Sequence, residues 1–260
     1  MKLQIYQADA FSSDIFKGNP AAIVPLTEWL PDEIMQKIAA ENNLSETAFF
    51  VPENNHFRIR WFTPQSEVKL CGHATLATAH ILFNELNFEG EQILFNSKSG
   101  ILTVRKVGDL LQLDFPADYV QPSDLNPVFT QAFGIQASAT FKGRTDYLLL
   151  FDSEEIIRNM KPNFYLLKQT DARGIMVTAR GNKVDFVSRF FAPGVGIDED
   201  PVTGSAHTSL IPFWSARLSK LEMTAFQLSE RGGELWCTLK AGRVLIGGKA
   251  VTYLRGEIEV

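Results

Sequence analysis

Along most of the chain, apolar and polar residues alternate over short runs bounded by Gly, Asn, Asp or Pro, the period of strands with one face buried. Residues 3–8, 21–25, 47–51, 57–62, 93–96, 101–107 and 110–115 read this way in the first half, and 147–151, 175–179, 184–191, 225–229, 235–239 and 249–254 in the second. Their Val, Ile, Phe and Tyr content supports the assignment. Val107-Gly108-Asp109-Leu110 and Arg180-Gly181-Asn182-Lys183 have the form of tight hairpin turns, so the sheets are predicted to be largely antiparallel. Helices are predicted over residues 31–42, 74–86, 154–167 (divided at Pro162) and 206–218. The helices at 74–86 and 206–218 are apolar on nearly every face, which points to burial on all sides.

One plan occurs twice. Arg60-Trp61-Phe62-Thr63-Pro64, then Glu67, then Gly72-His73-Ala74-Thr75 leads into an apolar helix. About half a chain later, Arg189-Phe190-Phe191-Ala192-Pro193, then Glu199, then Gly204-Ser205-Ala206-His207 does the same. Chance recurrence of common residues is the plain alternative. A duplicated plan predicts two similar domains, residues 1–118 and 119–260, with the last strand either in the second domain or returned to the first. It also predicts a cleft between them that both helix entrances face.

Composition narrows the function. Lys and Arg total 25 against 30 Asp and Glu, a net charge of −5 with no basic run, which disfavours nucleic acid and anionic membranes as partners. No apolar run approaches the length that spans a bilayer. Cys71 and Cys237 are too few for a disulfide framework, and residues 1–9 carry no signal-peptide pattern, so the expected setting is the cytoplasm.

The duplicated glycines suggest chemistry. A helix start presents unpaired N–H groups and partial positive charge, and a neighbouring glycine lets a ligand approach the backbone. Gly72-His73 and Gly204-Ser205 both have this form; either glycine alone reads as a turn, but the pair reads as a carboxylate site. Asp200 is a candidate acceptor for an imidazole or a substrate amine, whereas Asp198 and Glu199 read as dipole-compatible caps. His73 has a side chain suited to proton relay near neutral pH. His80 reads as core, His56 as surface, and His207 is a weaker candidate. Glu46 lies between an amphipathic helix and a very apolar strand. It is either an exposed loop residue or a carboxyl whose pKa is raised by desolvation. Cys71 reads as a small buried residue or a thiol acid/base. No metal is expected: Cys71-Gly72-His73 lacks the remaining partners of a zinc site, and Asp198-Glu199-Asp200 lacks calcium-loop spacing. No dinucleotide or phosphate-loop motif is present.

Asp9-Ala10-Phe11, Gly18-Asn19-Pro20-Ala21, Leu44-Ser45-Glu46-Thr47-Ala48-Phe49, Arg60–Pro64 with Cys71-Gly72-His73-Ala74-Thr75, and Asp200–Ala206 together resemble the PhzF-like (phenazine biosynthesis-like) family, in order along nearly the whole chain. The resemblance implies a diaminopimelate epimerase-like fold of α/β (α+β) type. Each of its two similar domains would wrap a mainly antiparallel, barrel-like sheet around a central apolar helix. It also implies an isomerase that moves a proton between carbons of a cyclic amino acid without metal or organic cofactor. Glu46 would be the acid/base, supported by His73, Asp200 and Ser205. On this reading the partner is a small-molecule carboxylate, held by N–H groups at Gly72, His73, Gly204 and Ser205, with Asn19 lining the cleft. A racemase or epimerase using Cys71 and a non-catalytic binding protein remain alternatives. A homodimer is compatible with apolar residues such as Phe129 and Trp214 covering a face between copies.

Overall fold

The computed structural model describes residues 1–260. The elements run β1 (Lys2–Ala10), β2 (Asn19–Pro25), α1 (Asp32–Asn42), β3 (Glu46–Glu53), β4 (His56–Phe62), β5 (Glu67–Val68), α2 (Gly72–Asn84), β6 (Gln92–Ser97), β7 (Gly100–Val107) and β8 (Leu110–Pro116). There follow β9 (Gln121–Pro122), α3 (Pro127–Phe133), β10 (Ala139–Lys142), β11 (Asp146–Leu150), α4 (Glu154–Asn159), α5 (Phe164–Leu167), β12 (Gly174–Arg180), β13 (Phe186–Ala192), β14 (Ile197–Asp200) and α6 (Gly204–Leu218). The chain ends in β15 (Glu222–Gln227), β16 (Gly233–Lys240), β17 (Arg243–Gly248) and β18 (Ala250–Glu259). Two compact units form, Met1–Phe115 with Ile246–Val260, and Pro116–Leu245. β18 lies against β1 in the first unit, antiparallel from Lys2 opposite Glu259 to Ala10 opposite Ala250.

Each unit has the same strand plan. In the first, β2 and β3 are parallel, β3–β4 and β4–β5 antiparallel, β4–β6 parallel and β6–β7 antiparallel. In the second, β11–β12, β12–β13, β13–β14, β13–β15 and β15–β16 repeat that series. Both sheets are therefore mixed but mainly antiparallel. The registers correspond at matching positions, with an irregularity in β13–β14 that β4–β5 lacks. Ala48 faces Trp61, as Met176 faces Phe190. Trp61 faces Val68, as Phe190 faces Asp200.

The two nearly all-apolar helices lie at the centres of their units. In α2 every residue from His73 to Ala79 is buried, and the helix packs on β1, β2, β3 and β18. Its threonines tolerate this because each hydroxyl donates to a carbonyl one turn back, Thr75 to Cys71 at 2.5 Å and Thr78 to Ala74 at 2.7 Å. In α6, Leu210 to Ser215 are all buried, and the helix runs through Pro212. The amphipathic α1 covers the opposite face of the first sheet, where Met35 and Ile38 pack with Val24, Phe49 and Phe62. In the second unit, α3, α4 and α5 supply Phe129, Ile157 and Leu167 to the corresponding layer.

Three expectations are corrected. Phe129 and Trp214 are 1% and 4% exposed, so neither offers a face to another copy. Trp214 stacks on Phe186 at 5.8 Å and donates to Thr178 at 2.9 Å within its own unit. The 180–183 hairpin is not a tight turn, since Arg180 pairs with Phe186 across a longer loop. Glu199 is not a helix cap: it lies in β14 and receives two hydrogen bonds from Arg189, at 2.7 and 2.8 Å. The first unit builds the same fork, with Arg60 donating to both Glu67 oxygens at 2.8 Å. Each guanidinium also lies over a phenylalanine, Arg60 over Phe62 at 5.1 Å and Arg189 over Phe191 at 5.0 Å.

The two forks differ in burial. The Arg189 side chain is 10% exposed and also donates to the Ile157 and Met160 carbonyls, whereas Arg60 keeps Asp32 as a second carboxylate. Removing one partner of a buried pair leaves an uncompensated charge. Glu199→Ala is expected to destabilise the protein by about 3 kcal/mol, and Glu67→Ala by about 1 kcal/mol, as read from urea-unfolding midpoints.

Candidate functional site

In the first unit, Cys71 holds the N-cap position of α2 in an extended conformation (φ −144°, ψ 110°), and Gly72 is the first helical residue. The Cys71 side chain makes no cap hydrogen bond, and the first N–H groups of an α-helix have no partner within it. His73 follows, 5% exposed. Glu46 is the first residue of β3, not a loop residue, and its side chain is only 12% exposed. The parallel pairing of β2 and β3 sets it opposite Ala21. Its Oε2 lies 3.2 Å from His73 Nε2, and Cys71 Sγ lies 3.5 Å from His73 Nδ1.

The loop between β1 and β2 completes this cluster. Gly18 has φ +65°, and a Cβ there would collide with the Ala10 carbonyl. Asp9, 1% exposed, accepts from the Phe16 N–H at 2.9 Å and ties the loop down. Phe11 is buried against Gly248, where no side chain would fit. The loop thereby delivers Asn19, fully buried, and then Pro20, whose carbonyl is a hydrogen-bond partner of His73.

Burial controls the imidazole. Desolvation outweighs the bond to Pro20 and pushes the His73 pKa down to about 3. His73 is therefore neutral near pH 7, which corrects the expectation of a side chain titrating there. Glu46, Cys71 and His73 offer ligand atoms within 4.8 Å of one another, a donor set not legible from the local Cys71-Gly72-His73 spacing. The thiol and the carboxylate approach opposite ring nitrogens, however. A chelate needs one nitrogen directed at the same point as both other ligands.

In the second unit, Thr203 caps α6 by position but not by side chain. Its hydroxyl donates instead to Asp200 Oδ2 at 2.5 Å. Gln227, fully buried, accepts from the Thr203 N–H at 2.9 Å and donates to the Asp200 carbonyl at 2.7 Å. This clamp fixes Asp200, buried Gly204 and exposed Ser205 in one turn of chain. Sequence reading missed Gln227 because a lone glutamine on a strand carries no signature.

The remaining histidines have structural roles. His80 is half-buried and lies 3.0 Å from the Thr252 hydroxyl; it is not enclosed core. His56 pairs with Glu53 at 3.0 Å. His207 lies fully buried one turn into α6, its Nδ1 2.8 Å from the Thr203 carbonyl, and burial pushes its pKa down to about 4.

For His73 and His207 the folded pKa lies below the unfolded value of about 6.5. The unfolded chain therefore binds the extra protons first, and their contribution to stability, complete above pH 6.5, is lost as pH falls towards 4 and 3. Histidine NMR is expected to show the His73 and His207 imidazoles unchanged from neutral pH down to about 5, while urea midpoints fall over the same range.

The Phenazine biosynthesis-like protein (PhzC-PhzF) family pattern matches residues 8–256. An uncharacterized isomerase of Pseudomonas aeruginosa is 52% identical over 260 residues, covering 100% of both chains. A crystal structure of a phenazine biosynthesis protein of the PhzF family from Enterococcus faecalis superposes with a TM-score of 0.98 at 46% identity, again over 100% of both chains. A probable proline racemase from Agrobacterium radiobacter shares the fold alone, with a TM-score of 0.69 at 10% identity over 99% of this chain and 92% of its own. The chain thus belongs to the phenazine biosynthesis-like family of isomerases.

Proposed function

We propose that this isomerase moves a proton between carbons of a small amino-acid-like or cyclic carboxylic acid, with Glu46 as the acid/base and no metal or organic cofactor. The observation that carries the reading is the enclosed pair of Glu46 and a neutral His73, 3.2 Å apart, beside the uncapped start of α2. The Glu46 carboxylate takes a proton from one carbon, and the bonding electrons move into the adjacent unsaturated system. The protonated carboxyl returns the same proton to a second carbon. Nothing is oxidised or reduced overall, and one group serves as base and then as acid. The Gly72 and His73 N–H groups bind the substrate carboxylate, and Asn19 lines the site. The same reading gives Gly204 and Ser205 a carboxylate-binding role and Asp200 an orienting one, on the strength of the duplicated plan and the Thr203–Gln227 clamp.

A second reading, inversion of one stereocentre with Cys71 as acid/base, draws on the thiol 3.5 Å from His73 Nδ1. The equivalent N-cap in the second unit is Thr203, so a duplicated thiol is lacking.

The test is proton exchange in deuterated water across a panel of amino acids and cyclic carboxylic acids, followed by mass spectrometry. The wild-type protein is expected to label at least one acid at carbon. Glu46→Gln, which keeps the shape of the side chain, is expected to lower that rate by about 10²–10⁴-fold with little change in melting temperature. An unaltered rate removes Glu46 from the chemistry. Cys71→Ser is expected to cost far less, and a loss as large as that of Glu46→Gln favours the thiol mechanism.

A further inference from the structure

Trp61 is 1% exposed, yet its indole N–H has no hydrogen-bond partner within the protein. A buried donor left unpaired costs about 1–3 kcal/mol. A phenylalanine would fill similar space without that cost, and the matching position of the second unit does hold one, Phe190.

Strand register places the indole beside the reacting group. Trp61 is opposite Ala48, so Glu46 is its diagonal neighbour on the same sheet face, at the roughly 7–8 Å separation that large aromatic side chains bridge. α2 packs on this face of β3, as the Glu46–His73 contact shows. The second unit gives an independent gauge of where such a ring reaches. Its equivalents of Glu46 and Trp61 are Gly174 and Phe190, and a Cβ added at Gly174 would collide with the Phe190 ring. A ring at this register thus lies directly against the residue two places before its cross-strand partner.

We propose that Trp61 is a substrate-binding residue, its indole N–H donating to an oxygen of the acid whose proton Glu46 moves. The inference rests on the Glu46 reading given above. An N–H can only donate, so it selects an acceptor and excludes a substrate ammonium group. As a proton leaves the carbon, negative charge moves onto that oxygen. A fixed neutral donor in a dry site stabilises the charge without itself being a cation that would pair with Glu46. The site would therefore favour acids with an oxygen conjugated to the reacting carbon.

The experiment compares wild type, Trp61→Phe and Glu46→Gln with cyclohex-1-ene-1-carboxylate as probe, following indole and imidazole resonances by NMR. Without the probe, Trp61→Phe is expected to melt no lower than wild type, because it removes an unpaired donor. With the probe, the Trp61 indole proton is expected to move downfield, and Trp61→Phe to bind about tenfold more weakly, the size of one hydrogen bond. A melting temperature several degrees lower in Trp61→Phe overturns the proposal, since the N–H would then be structural. An indole resonance that stays put with tens of millimolar probe overturns it too. Glu46→Gln is expected to keep the indole shift. If that variant still exchanges deuterium, the acid/base assignment falls while the Trp61 measurement stands.

Discussion

The fold turns on one interaction made twice, the two-toothed grip of an arginine on a glutamate across a strand turn. Arg60 on β4 holds Glu67 on β5, and Arg189 on β13 holds Glu199 on β14. The geometry is directional, and both guanidiniums are backed by an aromatic ring. The chain leaving each glutamate must then reach the glycine that starts the central helix within a few residues. At α6 the Thr203–Gln227–Asp200 clamp adds a second hold on the entering chain.

With the scaffold held constant, the positions where the two units differ become informative. At matching register the first unit has Glu46, Trp61 and Val68 where the second has Gly174, Phe190 and Asp200. At the helix starts, Cys71 and His73 stand against Thr203 and Ser205. Arginine, glutamate, the supporting phenylalanine and the glycine are kept, while each unit carries its own carboxylate in a different place. Such a pattern separates side chains that hold the fold from the candidates for chemistry without any comparison between species.

Much of this was legible in the sequence. The alternation of apolar residues located the long strands, and the all-apolar runs located α2 and α6, because burial on every face leaves a strong compositional mark. The missed elements were those in which tertiary pairing overrides local preference. β5 and β9 are two residues each, β17 ends in two glycines, and α3 lies in a proline-bearing stretch that resembles a linker. Candidate site residues were flagged by the sequence where a glycine or a motif marked them. Gln227 and Trp61 were not, since their importance lies in which atoms meet, or fail to meet, a partner across strands. The protonation state of His73 was likewise hidden: the residue type suggests titration near neutrality, and only burial decides against it.

That neutrality shapes the chemistry open to Glu46. A cationic imidazole 3.2 Å away would hold the carboxylate as an ion pair and weaken it as a base towards carbon. A neutral ring at the same distance carries no such penalty. The burial that keeps His73 neutral comes from its place at the head of a helix enclosed on all sides. On the proposed reading, the packing that buries α2 also keeps the ring beside the Glu46 carboxylate neutral. It gives the acid/base role proposed for Glu46 a physical reason to fall at the start of a central helix rather than on an exposed loop.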